Sequence, residues 1–159
     1  MNRTLVIRFG ALGDLCICGW FLSGLKKSDK EISLLTKTSF SELALEFSGV
    51  DKVVAPDLSN IFSASSSIDM KSYHTIIDAH SVLRSKLLTL LGGKSTSATL
   101  SKDTFSRFDL IARARFGLKQ QDKPVTHLLD RYCDLSNNII PSAPLAHFST
   151  KSSDSPIAI

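Results

Sequence analysis

Two short strings carry residue types suited to chemistry. The first is Gly10-Ala11-Leu12-Gly13-Asp14, where two glycines bracket a turn and a carboxylate follows. Glycines permit close backbone approach, and a helix starting there aims its amides outward, as in a phosphate-cradling turn. The spacing is not the Gly-x-Gly-x-x-Gly of a dinucleotide fingerprint, and no Lys-Ser/Thr pair follows as in a P-loop. Asp14 also argues against a phosphate. A carboxylate at a helix N-terminus already takes the anion-favouring place and repels a second anion several ångströms away by about 1–4 kcal/mol. An uncharged hydroxyl suits it better, because an ionised carboxylate can take a proton from an alcohol as a general base. The plainer reading is a charge that stabilises the helix N-terminus by about 0.3–1 kcal/mol. Residue pattern alone leaves both readings open.

The second string, running from Asp78 through Ala79, His80 and Ser81 to Arg84, gathers an acid, an imidazole, a hydroxyl and a guanidinium. A Ser-His-Asp triad is disfavoured, since His80 and Ser81 are adjacent and no Gly-x-Ser-x-Gly elbow exists. A His80/Arg84 pair that reads an anion competes with a satisfied loop histidine beside a surface arginine. His74, His127 and His147 are isolated, and Cys16-x-Cys18 lacks zinc-knuckle spacing, so no metal is expected. With Cys133 the cysteine count is odd, which speaks against a disulfide framework and for reduced cytoplasm; Cys16 and Cys18 are expected as small core side chains. Lys102, Arg107, Arg113, Arg115 and Lys119 form a basic stretch interleaved with aromatics, either a solvated face or a membrane-surface contact.

Such strings need a scaffold that brings strand ends together. Short apolar runs alternate with longer amphipathic segments, the pattern of an α/β fold whose parallel sheet is joined by crossover helices. Strands are expected over residues 5–8, 32–36, 52–55, 75–78 and 95–100. Helices are expected over 15–27, from the capping-box spacing of Ser39-Phe40-Ser41-Glu42 to Ser48-Gly49, over 83–91, about 103–116 and about 126–135. Residues 59–67, of which five of nine are serine, read as a mobile surface loop. In an open parallel sheet, ligands collect beyond the carboxyl ends of the strands. That rule selects residues 8–14, Lys37 and Thr38, Pro56 and Asp57, residues 78–84, Ser101 and Lys102.

The chain has 159 residues, room for one ordinary domain, and 43% hydrophobic with 21% charged residues excludes wholesale disorder. A net charge of +4 suits an anionic substrate or membrane surface, whereas nucleic acid would want a denser basic patch. No apolar run approaches the length of a membrane span or a secretory signal. Residues 149–155 are linker-like in composition, and Pro156-Ile157-Ala158-Ile159 begins to look like another strand. The expected organisation is therefore one domain over 1–148, with 149–159 leading into a further domain.

The string Leu5-Val-Ile-Arg-Phe-Gly-Ala-Leu-Gly-Asp14, with Ile32 to Lys37, Phe40, Val53-Val54, Tyr73 to Ser85 and His127-Leu-Leu-Asp-Arg131-Tyr132, resembles the N-terminal half of the ADP-heptose:lipopolysaccharide heptosyltransferases, glycosyltransferase family 9. The resemblance implies a three-layer Rossmann-like domain with a mostly parallel sheet, the acceptor-binding half of a GT-B fold whose second half binds the donor. It implies inverting, metal-independent transfer of heptose from ADP-heptose to the anionic inner core of lipopolysaccharide, with no cofactor, in the cytoplasm and peripherally at the inner membrane. Asp14 stands where that family has its base. Gly10, Ala11, Leu12 and Gly13 then line the acceptor, and Arg8, Lys37, His80, Arg84, Lys102 and Arg131 are candidates for recognising it, Arg131 being equally open to a structural role. Two positions depart from the family's habit: Ser81, where glycine is common after the loop histidine, and Gly19-Trp20, where a proline is common. Other readings are a non-catalytic Rossmann-like module binding an anion or nucleotide, and a related transferase using another nucleotide sugar.

Overall fold

The structure, a computed structural model, describes residues 3–26, 31–94, 96–100 and 128–139. Strand β1 (Arg3–Ile7) leads into helix α1 (Leu12–Lys26), β2 (Glu31–Leu35) into a 3-10 turn (Thr38–Phe40) and α2 (Ser41–Leu45), and β3 (Lys52–Val54) into α3 (Ile61–Ser67). A second 3-10 turn (Met70–Ser72) precedes β4 (Thr75–Asp78), which is followed by α4 (Leu83–Leu91) and β5 (Ala98–Thr99); α5 (Leu128–Ile139) comes last among the described residues. The five strands form one sheet in the order β3-β2-β1-β4-β5, every pair parallel. This is the α/β, Rossmann-like architecture that the alternation of runs predicts.

Because side chains alternate across a strand, a sheet covered on both faces must be apolar at successive positions. Val6, Ile32, Leu34 and Ile77 point to one face, where they meet Leu15, Phe21 and Leu22 of α1 and Tyr132 and Leu135 of α5. Leu5, Ile7, Leu35 and Ile76 point to the other, against Ala64 of α3, Met70 and Leu88 of α4. Two cores on opposite faces make three layers. Each fully buried leucine or isoleucine contributes roughly 1.5–3 kcal/mol relative to exposure.

Gly49 shows how closely the layers meet. A Cβ built there would lie 2.2 Å from the Leu22 carbonyl carbon and 2.3 Å from the Ser23 nitrogen, so the chain before β3 rests on the backbone of α1. Backbone cannot rotate aside as a side chain can. Gly49→Ala is therefore expected to destabilise the domain by about 1–3 kcal/mol, measured by urea unfolding. A change below about 0.5 kcal/mol, the scatter of ordinary surface substitutions, would show that the packing there yields.

Three expectations are corrected. Residues 59–67 are not a loop but mostly helix α3: Asn60 caps it, its Oδ1 accepting from the amides of Phe62 (3.0 Å) and Ser63 (3.3 Å), and the serine hydroxyls donate back to carbonyls one turn earlier. Burial of Ala64 and Ser65 beneath it outweighs the weak helix preference of serine. Cys18 is buried but Cys16 is exposed, because two positions along a helix is more than half a turn. Finally, Ser39 does not cap α2. That helix starts at Ser41, after the 3-10 turn, with no side-chain cap, and Ser41 Oγ donates to the Thr38 carbonyl.

Helix α1 begins at Leu12 rather than 15, which puts Gly13 and Asp14 in its first turn. The expected helix over 103–116, the basic stretch 102–119, Lys102, His127, His147, the tail and the 148/149 boundary lie outside the described residues.

Candidate active site

The carboxyl ends of β1 and β4 lie side by side, and the loops leaving them hold both strings singled out above. After β1 the chain passes Arg8 and Phe9 and turns at Gly10, whose φ of +145° is a conformation that residues with side chains rarely adopt. A Cβ at Gly10 would also sit 3.3 Å from the Phe40 ring, so this position has a backbone and a packing reason to be glycine. The Gly10–Ala11 peptide is cis. Gly13 differs, since a Cβ there would meet nothing within 4 Å. With Ala11 and Leu12 also exposed, the mouth of α1 is open.

Asp14 stands at that mouth. Its side chain is 43% exposed, whereas Arg8, which donates from Nη2 to Asp14 Oδ2, is 5% exposed. Arg8 also donates from Nη1 to the carbonyl of Ala79 in the β4–α4 loop. One buried guanidinium thus ties the carboxylate on α1 to the neighbouring loop and holds one of its oxygens. Among the described residues nothing donates to Oδ1. Below Arg8 lie the Cys18 thiol and the Tyr132 hydroxyl. Burial pushes Cys18 up to about 11 and lifts Tyr132 well above the usual phenol range, with the Arg8 charge opposing both. Both stay neutral at pH 7 and leave the Arg8 charge to Asp14.

Asp78, fully buried, is an anchor. Its Oδ1 accepts from the amides of His80 (3.0 Å) and Ser81 (2.7 Å), and its Oδ2 from Ser85 Oγ (2.7 Å). Those bonds fold the loop so that His80 stacks edge-on to Phe9 at 5.3 Å beside the Arg8 region. Ser81 has φ +50°, the left-handed region that favours glycine.

A cleft of ≈380 Å³ opens beside this site. Lys37, Thr38 and Ser39 after β2, Pro56 to Ser59 after β3, and Arg84 on the first turn of α4 line it. It brings together two candidate cations distant in sequence, both exposed. Asp57 faces the same cleft, and hydrogen bonds from the Ser59 amide (2.9 Å) and hydroxyl (2.8 Å) hold its carboxyl below the usual range. Positive ends and one fixed acceptor suit a polyhydroxylated anion.

Of the sequence-selected residues, Gly10, Ala11, Leu12, Gly13, Asp14, Arg8 and His80 cluster at the β1–β4 edge, and Lys37 and Arg84 at the cleft. Arg131 is buried within α5, on the helix that packs its Tyr132 ring 5.0 Å from Phe21 of α1. Ser39, Leu58 and Ser59 were not foreseen; the Asp57-x-Ser59 spacing of a side-chain-closed turn was the available signal. Among the described residues no group of three His, Cys, Asp or Glu side chains is placed to hold a metal ion.

No family model and no curated protein sequence matches the chain. Solved structures do. A glycosyl transferase family 9 protein from Veillonella parvula superposes with a TM-score of 0.63 at 16% identity over 92% of this chain and 45% of that one. The E. coli heptosyltransferase WaaC with ADP-2-deoxy-2-fluoro heptose gives 0.61 at 16% identity over 91% and 50%. E. coli ADP-heptose lps heptosyltransferase II gives 0.57 at 16% identity over 86% and 40%. The chain spans about half the length of these structures or less. Its α/β, Rossmann-like sheet is thus a fold it shares with solved glycosyltransferases.

Proposed function

We propose that this chain is the acceptor-binding half of an inverting glycosyltransferase that moves heptose from ADP-heptose to the inner core of lipopolysaccharide at the cytoplasmic face of the inner membrane. The observation that carries the reading is Asp14: half-exposed at an open helix mouth, one oxygen held by a buried arginine and the other with no donor among the described residues. The folds of the two heptosyltransferases support it, as does a cleft that pairs Lys37 with Arg84.

In this reading the acceptor hydroxyl gives its proton to Asp14 Oδ1 while its oxygen attacks the anomeric carbon from the face opposite the nucleotide. The bond from that carbon to the diphosphate oxygen breaks, and the nucleoside diphosphate leaves with the electron pair. Arg8 keeps the carboxylate aimed, a positioning role rather than contact with the acceptor. Lys37, Arg84 and, from beyond the described residues, Lys102 pair with acceptor anions, and His80 borders them. The donor binds to the other half, away from Asp14, where its phosphates meet no carboxylate.

Titration of the chain with lipid-free inner-core oligosaccharide, against an ADP-sugar control, tests the assignment by calorimetry. Saturable binding of the oligosaccharide alone is expected, weakened about tenfold by Lys37→Ala or Arg84→Ala, the loss of one charge-assisted contact. Tight ADP-sugar binding with none to the oligosaccharide would reverse the assignment to a nucleotide-binding module.

A further inference from the structure

Helix α4 is amphipathic in the wrong direction for a helix that merely covers a sheet. Its buried residues are Ser85, Leu88 and Thr89; Ser85 is turned inward by Asp78, and Thr89 Oγ1 closes on the Lys86 carbonyl. Its outward side carries Leu83 (83% exposed), Leu87 (37%), Leu90 (74%) and Leu91 (38%). Positions i, i+4, i+7 and i+8 form one stripe, and here that stripe points away from the core. Arg84 borders it on one side and Lys86 on the other. Lys94 follows the helix, and Lys71 reaches its C-terminal end beside Gly93. From Leu83 to Lys94 there is no acidic residue.

We propose that the leucine stripe of α4 lies in the surface of an anionic phospholipid bilayer, with Arg84, Lys86, Lys94 and Lys71 against the headgroups. Charge complementarity selects this occupant: a second copy of the stripe would bring its cations against these, whereas a negative surface satisfies all of them. An in-plane contact also agrees with the length of the helix, since no helix among the described residues is long and apolar enough to cross a membrane. Because Arg84 also lines the Lys37 cleft, this orientation brings the cleft mouth to the headgroup level, where a lipid-borne anion would be presented. The inference needs only the stripe and its charges, not the transferase reading.

Co-sedimentation of the 159-residue chain with phosphatidylglycerol/phosphatidylcholine vesicles, and with phosphatidylcholine alone, tests it without any glycan. Partition to the anionic vesicles only is expected, falling as salt is raised, and falling by about tenfold or more in Leu83→Ser/Leu90→Ser, whose changed side chains are too exposed to support the fold. Lys86→Glu/Lys94→Glu should lower it likewise, and this variant decides the matter if the serine pair proves unfolded. Four results would overturn the proposal: no partition, partition unchanged in both variants, a solution dimer that the serine pair dissociates, or loss of partition only when Arg107 and Arg113 are changed to Gln.

Discussion

Replacing Asp14 with Asn is expected to lower sugar transfer about 1000-fold when the chain is assayed joined to the donor-binding half proposed above, the middle of the range for a general base. Stability should change little. The asparagine carbonyl still accepts from Arg8, and the carboxylate it replaces is already close to half in water, so its charge is screened. A cost of about 1 kcal/mol, or roughly 2–4 °C in melting temperature, is the expected upper bound. Initial-rate kinetics beside a thermal melt separate the two effects. Turnover within tenfold of the parent would remove Asp14 from the chemistry; a collapse of the melt would make it a structural residue instead. The buried guanidinium sharpens the comparison, because Arg8 fixes where the Asp14 carboxylate points. Catalysis then requires the acceptor hydroxyl to arrive already aligned, which is the task left to the cleft.

Asp78→Ala should have the largest effect on stability. The substitution strands the part-buried amides of His80 and Ser81, both satisfied by this one carboxylate, while the Ser85 hydroxyl keeps only the Val82 carbonyl as acceptor. Leaving such donors without partners costs about 1–3 kcal/mol each, partly relieved as the loop moves, so a loss of about 3 kcal/mol is expected in urea unfolding. Asp78→Asn should fall between, since its amide oxygen can serve only part of the set. The β4–α4 loop would relax with it, weakening oligosaccharide binding even though Asp78 touches no ligand. A stability loss under about 0.5 kcal/mol, the level of an ordinary surface change, would mean that the loop is held by something else.

Asp78 also shows how far residue types alone can lead. As one acid near a histidine and a serine it invites a catalytic reading. Its burial and three accepted bonds instead make it the post that holds the loop. Arg8, a candidate contact with the acceptor, is buried and donates to Asp14. Neither outcome is legible locally, because both depend on partners that the parallel sheet brings together: Arg8 and Ala79 are 71 positions apart. The α3 region misled for the opposite reason. Its serines argue for a loop by propensity, and only the Asn60 cap and the apolar floor under Ala64 convert it to a helix.

What the sequence determined by itself was the class of fold and the place to look. Runs such as Leu5-Val-Ile and Ile76-Ile77, apolar at successive positions and too short for a helix of ordinary length, read as strands buried on both faces, and such strands imply crossover helices and a ligand edge at their carboxyl ends. Strand order, the pairing of Arg8 with Asp14, the meeting of Lys37 with Arg84 and the outward leucines of α4 were decided only by tertiary structure. Periodicity is a local signal that records which face is apolar. Contacts between distant side chains are set by how whole layers pack, and no single segment encodes them.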